Sequence, residues 1–385
     1  MSFLSEPSHH SSKHFQNPNS SVCLYRCIAT LKGNSSYVSS LTVDSSGSFY
    51  VASSDGHISL WPLDMSPDMK MKEQSAFTVA DTDSSIKCVV ATSKGLISAH
   101  QDGKIRVWRH AVHRRDGTLR RFALRAVLPT AADRLRTFLL PKNYVEVRRH
   151  RRRTTWVHHV DAVAALALSP DGAEMYSVSW DRSLKAWRLG SGSSGGRCVA
   201  SVAVAHDDAI NAVAVSPADG GHVSTGSADG TRKLFALVGT MARHEAAVNA
   251  LTIGVGGQVL YSGSCDKTVV VWEGAGGGVA VASATATLWG HTKAVLCLAA
   301  AGNVVCSGSA DTTVRVWRRG AAAPTGYACV ALLRGHAGAV KSLALVSETR
   351  GDHDGSCNEC CSAALVCSGS LDCHVKLWRV NVSCL

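Results

Sequence analysis

Along most of the chain apolar and polar residues alternate in short runs, as in TTVRVW and CHVKLW, and small polar turns break the runs apart. Period-two alternation puts one face of each run in a core, so these stretches predict β-strands, not helices. The turns SSDG, HQDG, SWDR, SADG, SCDK, SADT and SLDC each separate two such runs and carry the small, Asp- and Gly-rich chemistry of hairpin connections. Each turn aspartate is followed at one fixed spacing by an aromatic residue: Asp55–Trp61, Asp102–Trp108, Asp181–Trp187, Asp229–Phe235, Asp266–Trp272, Asp311–Trp317 and Asp372–Trp378. Upstream, a polar residue stands four before the Val or Ile that opens an earlier strand. His159/Val163, His206/Ile210, His244/Val248, His291/Val295 and His336/Val340 are the clear cases, and Asn34/Val38 and Thr82/Ile86 are degenerate ones. Seven units of one texture make this an internal-repeat chain.

The repeated residues resemble the WD-repeat family over roughly residues 24 to 380. That resemblance implies an all-β fold, a seven-bladed β-propeller of four-stranded antiparallel blades. Closure must hide the sheet edges. The segment LYRCIATLKGN at 24–34 reads like ACVALLRGH and SATATLWGH ahead of later repeats, so an N-terminal strand should join the last blade as its outer strand. Residues 23–385 then form a single propeller, and the Ser/His/Asn-rich residues 1–22 are expected to be disordered.

The resemblance also implies a hydrogen-bonded tetrad within a blade. The sets are His159, Ser177, Asp181 and Trp187; His291, Ser307, Asp311 and Trp317; and His336, Ser368, Asp372 and Trp378. Blade one departs with Asn34 and Val51, blade two with Thr82, and blade four with Phe235, which lacks an indole N–H; packing should dominate there. His, Ser and Asp are also the parts of a hydrolase triad, but a constellation repeated blade after blade and tied to a core tryptophan reads as structural.

Two spacings are long. The interval Trp108–Trp187 spans 79 residues and holds a basic insertion at about 113–155; Trp317–Trp378 spans 61 and holds a Cys-rich loop at about 347–362. From His113 to Arg153 there are thirteen Lys/Arg against three Asp/Glu, which accounts for nearly all of the net +11. The basic patch Arg148, Arg149, Arg151, Arg152 and Arg153 suits a targeting signal, a polyanion or a nucleic acid, or is simply a solvated loop. Either FALRAVL or YVEVRR should supply blade three's outer strand, and AADRLRTFLL should be a short helix with Leu135, Phe138 and Leu139 on one side. The stretch LPTAADRLRTFLLPKNYVEVRRHRRRTTWVHHVDAV is similar to a segment of the plant Jingubang-like WD-repeat proteins. That likeness implies a plant regulator restraining pollen germination and tube growth through protein interaction, with a transcription regulator among its candidate partners.

His353, Cys357, Cys360 and Cys361 form one CxxC with a nearby histidine, half of what a zinc site needs, so no metal and no cofactor are expected. The fourteen cysteines are scattered through apolar runs and should be reduced thiols. No long apolar window and no signal-like start are seen, which suggests a chain that is cytoplasmic, nuclear or both, with no membrane partner; a monomer is expected. No phosphate loop, HExxH or GxSxG motif is present, so no enzyme activity is expected. The Asp that follows the strand-end Trp in many WD-repeat ubiquitin-ligase receptors is replaced by Pro62, Arg109, Arg188, Glu273, Arg318 and Arg379.

By the same resemblance, three positions per blade face a partner-binding rim: the residues flanking the first-strand Val/Ile and the residue before the turn Asp. Most are small here. Trp180, Tyr37, Leu371, Lys87, Lys341, Asn211 and Asn249 are not, and they are the expected anchors for other proteins or peptide segments. A tryptophan at 180 could instead pack under the insertion that precedes its own blade. The leading expectation is a protein-interaction scaffold, the alternative a polyanion or nucleic-acid-associated regulator acting through the basic insertion.

Overall fold

The alternating runs pair with their sequence neighbours, because hairpin turns are the shortest way to satisfy strand hydrogen bonds. The computed structural model describes residues 25–32, 34–44, 46–61, 77–111, 121–138, 144–147, 152–190, 195–217, 222–235, 239–274, 282–320, 326–348 and 361–383. Strand β1 is Tyr25–Leu31. Blade one follows as β2 (Val38–Val43), β3 (Phe49–Ser53), β4 (Ile58–Trp61) and β5 (Phe77–Ala80), and blade two as β6 (Ile86–Thr92), β7 (Gly95–His100), β8 (Ile105–His110) and β9 (Phe122–Leu128). Helix α1 (Ala131–Phe138) and the hairpin β10 (Tyr144–Val147) and β11 (Arg152–Thr155) come next. Blade three is β12 (Val163–Leu168), β13 (Glu174–Ser179), β14 (Leu184–Arg188) and β15 (Arg197–Val202). Blade four is β16 (Ile210–Val215), β17 (Val223–Ser227), β18 (Thr231–Phe235) and β19 (Gly239–Ala242); blade five is β20 (Val248–Gly254), β21 (Val259–Ser264), β22 (Val269–Gly274) and β23 (Ala282–Leu288). Blade six is β24 (Val295–Ala301), β25 (Val304–Ser309), β26 (Val314–Arg319) and β27 (Tyr327–Leu333). Blade seven is β28 (Val340–Glu348), β29 (Cys361–Ser370) and β30 (Val375–Ser383), and β1 pairs antiparallel with β30 as its outer strand.

The ring therefore closes as the sequence implied. Val38 of blade one sits so close to Gly369 of blade seven that a Cβ there would lie 2.4 Å from its Cγ1, and the Ser342 hydroxyl accepts the Leu41 N–H at 2.7 Å. Only glycine allows this approach of adjacent sheets. The core is not one mass but a set of interblade clusters, one per junction. The two–three cluster holds Met175 and Trp187, the six–seven cluster Val340 and Trp378, and the seven–one cluster Phe49 and Trp61. The four–five cluster includes Ala214, Leu260, Val270 and Trp272.

The basic insertion corrects the sequence reading. FALRAVL is β9, the outer strand of blade two, because its apolar alternation pairs with β8 (Phe122↔His110 through Leu128↔Ile105); blade three takes its outer strand from β15 instead. YVEV joins no blade and pairs with β11 in its own two-stranded hairpin. Helix α1 forms, started by a reciprocal cap in which Thr130 Oγ1 accepts the Asp133 N–H and the Asp133 carboxylate accepts the Thr130 N–H, both at 3.2 Å. Leu135 is exposed and Asp133 buried, while the side chains of Phe138 and Leu139 lie outside the described residues. Residues 1–22, His353, Cys357 and Cys360 lie outside the described residues, as do Arg148, Arg149 and Arg151; Arg152 and Arg153 open β11, and Cys361 opens β29. No described helix is long and apolar enough to cross a membrane.

Candidate functional site

The tetrads form as four-part chains. In blade six Trp317 Nε1–H donates to Ser307 Oγ at 2.8 Å, Ser307 is 2.8 Å from His291 Nε2, and His291 Nδ1 is 2.8 Å from the Asp311 carboxylate. Blade seven repeats this with Trp378, Ser368, His336 and Asp372, and blade five with Trp272, Ser262, His244 and Asp266. A carboxylate can only accept, so Nδ1 carries the proton, Nε2 accepts the serine O–H, and serine accepts the indole N–H. In blade three His159 Nδ1 reaches Ser183 Oγ at 2.8 Å, and Ser183 relays to Asp181 at 2.6 Å. Burial alone would raise the pKa of Asp181, but its bonds from His159, Ser183 and the Val160 N–H hold it well below the carboxylate range. Ser307 and Ser368 are fully buried and each accepts an indole N–H, so these chains run inward from the turn to the core tryptophan.

The exceptions follow the missing atoms. Val51 gives Trp61 no hydroxyl, and the buried Trp61 Nε1 has no partner. In blade four His206 still bonds Thr225 at 2.7 Å and Asp229 at 2.9 Å, ahead of Phe235. Blade two differs from expectation, because its polar chain is intact. Trp108 Nε1–H donates to Ser98 (2.8 Å), Ser98 is 2.7 Å from His100 Nε2, and His100 Nδ1–H donates to the Ser84 carbonyl at 3.1 Å. His100 enters from strand β7 and does the work that Thr82 cannot; reading only the slot ahead of the first strand hid it.

His100 is fully buried, and desolvation, helped by the Arg106 charge, pushes its pKa down to about 4. A histidine whose folded pKa lies below its unfolded 6.5 contributes stability that is whole above pH 6.5 and is lost as pH falls toward 4. The urea midpoint of the protein is therefore expected to drop across that window, and His100→Gln should reduce the stability lost between pH 6.5 and 4 by up to roughly 3 kcal/mol. An unchanged loss would place His100 in a solvated setting.

These chains pin the loop before each first strand to the turn before each aspartate, which brings the rim together at one end of the barrel. In all seven blades the N–H of the residue before the turn Asp donates to the carbonyl of the residue before the first-strand Val/Ile, as in Trp180→Ala162, Gln101→Ser85 and Leu371→Ala339, at 2.8–3.1 Å. The residue after that Val/Ile is bulged out of the ladder in every blade: Ser39, Lys87, Ala164, Asn211, Asn249, Leu296 and Lys341. A bulge re-aims its side chain, and here it does so seven times toward the same end. The residue after each turn Asp has positive φ, and Arg182, Lys267, Thr312 and Cys373 occupy it where other blades use glycine.

The expected anchors separate on inspection. Lys87 of blade two lies over the Trp180 ring of blade three, 5.1 Å from its centroid, and partial burial lowers the Lys87 pKa. Trp180 thus has a cation from the neighbouring blade on its face, a contact of about 0.5–2 kcal/mol. Leu371 and Lys341 are exposed, and Tyr37 is half-buried. Asn211 and Asn249 are partly spent on structure, their amides donating to the Val248 and Val295 carbonyls of the next blades at 3.1 and 2.9 Å. Sequence reasoning passed over the buried Lys185, whose ammonium donates to the Trp156 carbonyl and to Ser201 and so ties the end of the insertion to blade three. It also passed over Trp289, 72% exposed where the outer strand of blade five ends. The signal was there in LWGH, where Trp289 directly follows inward-facing Leu288 and so must face out.

The family model described as WD domain, G-beta repeat matches residues 25–62, 151–188, 196–231, 235–273, 282–318 and 327–379. Blade two falls in the unmatched interval, the blade where His100 has taken over from the usual histidine. No match was found among curated proteins. Among solved structures the chain is similar to the WD40 β-propeller domain of Doa1, with a TM-score of 0.62 at 19% identity over 92% of this chain and 97% of that one, a likeness of fold. The family match spans more than half of the chain, and most of its matched segments take in the outer strand of one blade and run on into the next, so the chain belongs to the WD40 repeat (G-beta repeat) family.

Proposed function

We propose that this protein is a non-catalytic interaction scaffold that binds partner proteins on the tetrad-side rim, with the Trp180–Lys87 pair as an anchor. One observation carries the reading: at the position before the turn Asp most blades present a small or polar residue, and Trp180 presents a half-exposed indole held by the cation of the preceding blade. Truncating such an aromatic anchor in an interface costs 2 kcal/mol or more as a rough threshold. WD40 propellers generally serve protein–protein interaction, and the tetrad His, Ser and Asp groups here are bonded to one another as structure. The likeness of the insertion to the Jingubang-like segment supports a plant developmental role in pollen, with action in cytoplasm, nucleus or both and a transcription regulator as one candidate partner.

Proximity labelling in the native tissue would name partners, and pull-down of those partners should fall at least about tenfold with Trp180→Ala. If Trp180→Ala and Lys87→Ala leave all partners bound, the rim reading is wrong. If instead deletion of residues 146–153 abolishes binding, and affinity falls steeply with salt, the protein works through the basic insertion on a polyanion.

A further inference from the structure

Trp289 raises a separate question, because burying it would remove one of the largest exposed apolar groups on the molecule. It lies one residue beyond the last ladder pair of blade five, Val269↔Leu288, and two residues before His291, whose bond to Asp311 fixes the loop on the same end of the barrel as Trp180. Following an outer strand, it occupies the perimeter of that end. Its surroundings are mainly cationic, with the exposed Glu245, whose N–H donates to Asp266 beside Lys267, as the exception on the blade-five side. The Arg315 guanidinium donates to the carbonyl of adjacent Gly290 at 2.7 Å, and its buried Nε has no partner. Lys293 is exposed in the same loop, Lys267 is exposed in the turn beside the Val269↔Leu288 pair, and Arg334 is exposed at the matching place one blade on.

The other side of this end has the opposite sign. The loops leading into blades two and four expose Asp81, Asp83, Asp207 and Asp208. In the loops leading into blades six and seven the exposed described residues are Trp289, Gly290, Thr292, Lys293, Arg334, Gly335 and Ala337, with no acid among them. A partner touching this sector meets an indole flanked by cations and would be repelled half a turn away if acidic. Charge complementarity of this kind selects the partner and its orientation more than it adds affinity.

We propose that Trp289, with Lys267, Lys293, Arg315 and Arg334, docks an acidic linear segment of a partner protein that places one large apolar side chain on the indole. The proposal rests on the scaffold reading but uses a different sector of the ring from Trp180. The test is fluorescence anisotropy with a degenerate peptide library rich in Asp and Glu around a single Leu or Phe, with Lys-for-acid and Ser-for-apolar libraries as controls. Because Trp289 is exposed, Trp289→Ala should leave the melting temperature unchanged and weaken the acidic library roughly 30-fold, the scale of an interface hot spot. The Lys293→Glu, Arg334→Glu double variant should weaken it likewise, both control libraries should bind more weakly, and Trp180→Ala should have no effect. Equal binding by wild type and Trp289→Ala, equal binding of the control libraries, or no binding by wild type overturns the proposal. Loss through Trp180→Ala alone would also overturn it, while leaving the scaffold reading intact.

Discussion

Replacing Arg232 with leucine is expected to stabilise the protein by about 1–4 kcal/mol, seen as a higher urea midpoint. Arg232 is three residues after the turn Asp of blade four, where the other blades carry Ile58, Ile105, Leu184, Val269, Val314 and Val375, all buried. Its side chain is 1% exposed, its Nε and Nη1 have no partner, and no carboxylate among the described residues answers its charge; burial pulls its pKa down to about 10. What it keeps is a contact with the Met241 sulfur and a stack on Trp272, 4.9 Å from the ring centroid. A cation–π contact of about 2 kcal/mol does not offset the several kcal/mol of desolvating an unpaired ion. The desolvation cost falls on the four–five junction, where Arg232 stands in an otherwise apolar slot against Trp272, so this seam should be the first to open in denaturant. Hydrogen exchange should show β17 to β19 among the least protected strands in the wild type and recovered in Arg232→Leu. A leucine variant less stable than wild type would mean that the guanidinium has an acceptor.

Arg232 also shows where sequence reading stops. The strand alternation, the seven turns and the closing strand were legible because each rests on local chemistry repeated in register: period-two burial, Asp-centred turns, and an outer strand resembling its equivalents. Assigning FALRAVL to the wrong blade was a matter of bookkeeping across a blade boundary. An outer strand follows the aromatic of its own blade but precedes the histidine of the next, and either grouping fits the repeat. His100 escaped because the tetrad was read as positions in sequence, whereas the ring needs only an imidazole between Ser98 and a carbonyl, from whichever strand brings it. The rim positions were nameable, but the Lys87–Trp180 pair joins residues from two blades, a proximity that ring geometry alone creates.

Trp187→Ala should cost about 3–5 kcal/mol, since the side chain is fully buried in the two–three cluster and truncation leaves a cavity that neighbouring strands cannot fill. The more telling comparison is with phenylalanine. Trp187→Phe keeps most of the apolar volume but removes the N–H that Ser177 accepts at 2.8 Å, leaving a buried hydroxyl oxygen short of a donor in the chain that runs through His159 to Asp181; about 1–3 kcal/mol should be lost. Trp61→Phe removes the same atoms from blade one, where the indole N–H is already buried without an acceptor because Val51 stands in the serine slot. Deleting an unsatisfied donor removes a desolvation cost, so the lost packing is largely offset and the change should stay within about 1 kcal/mol. The difference between the two Trp→Phe substitutions, measured by urea unfolding, is therefore a reading of what the polar chain contributes beyond packing. Equal costs would mean that the tetrads hold their blades by shape alone, and that the hydrogen bonds of blade three are no stronger than the ones its unfolded chain makes with water.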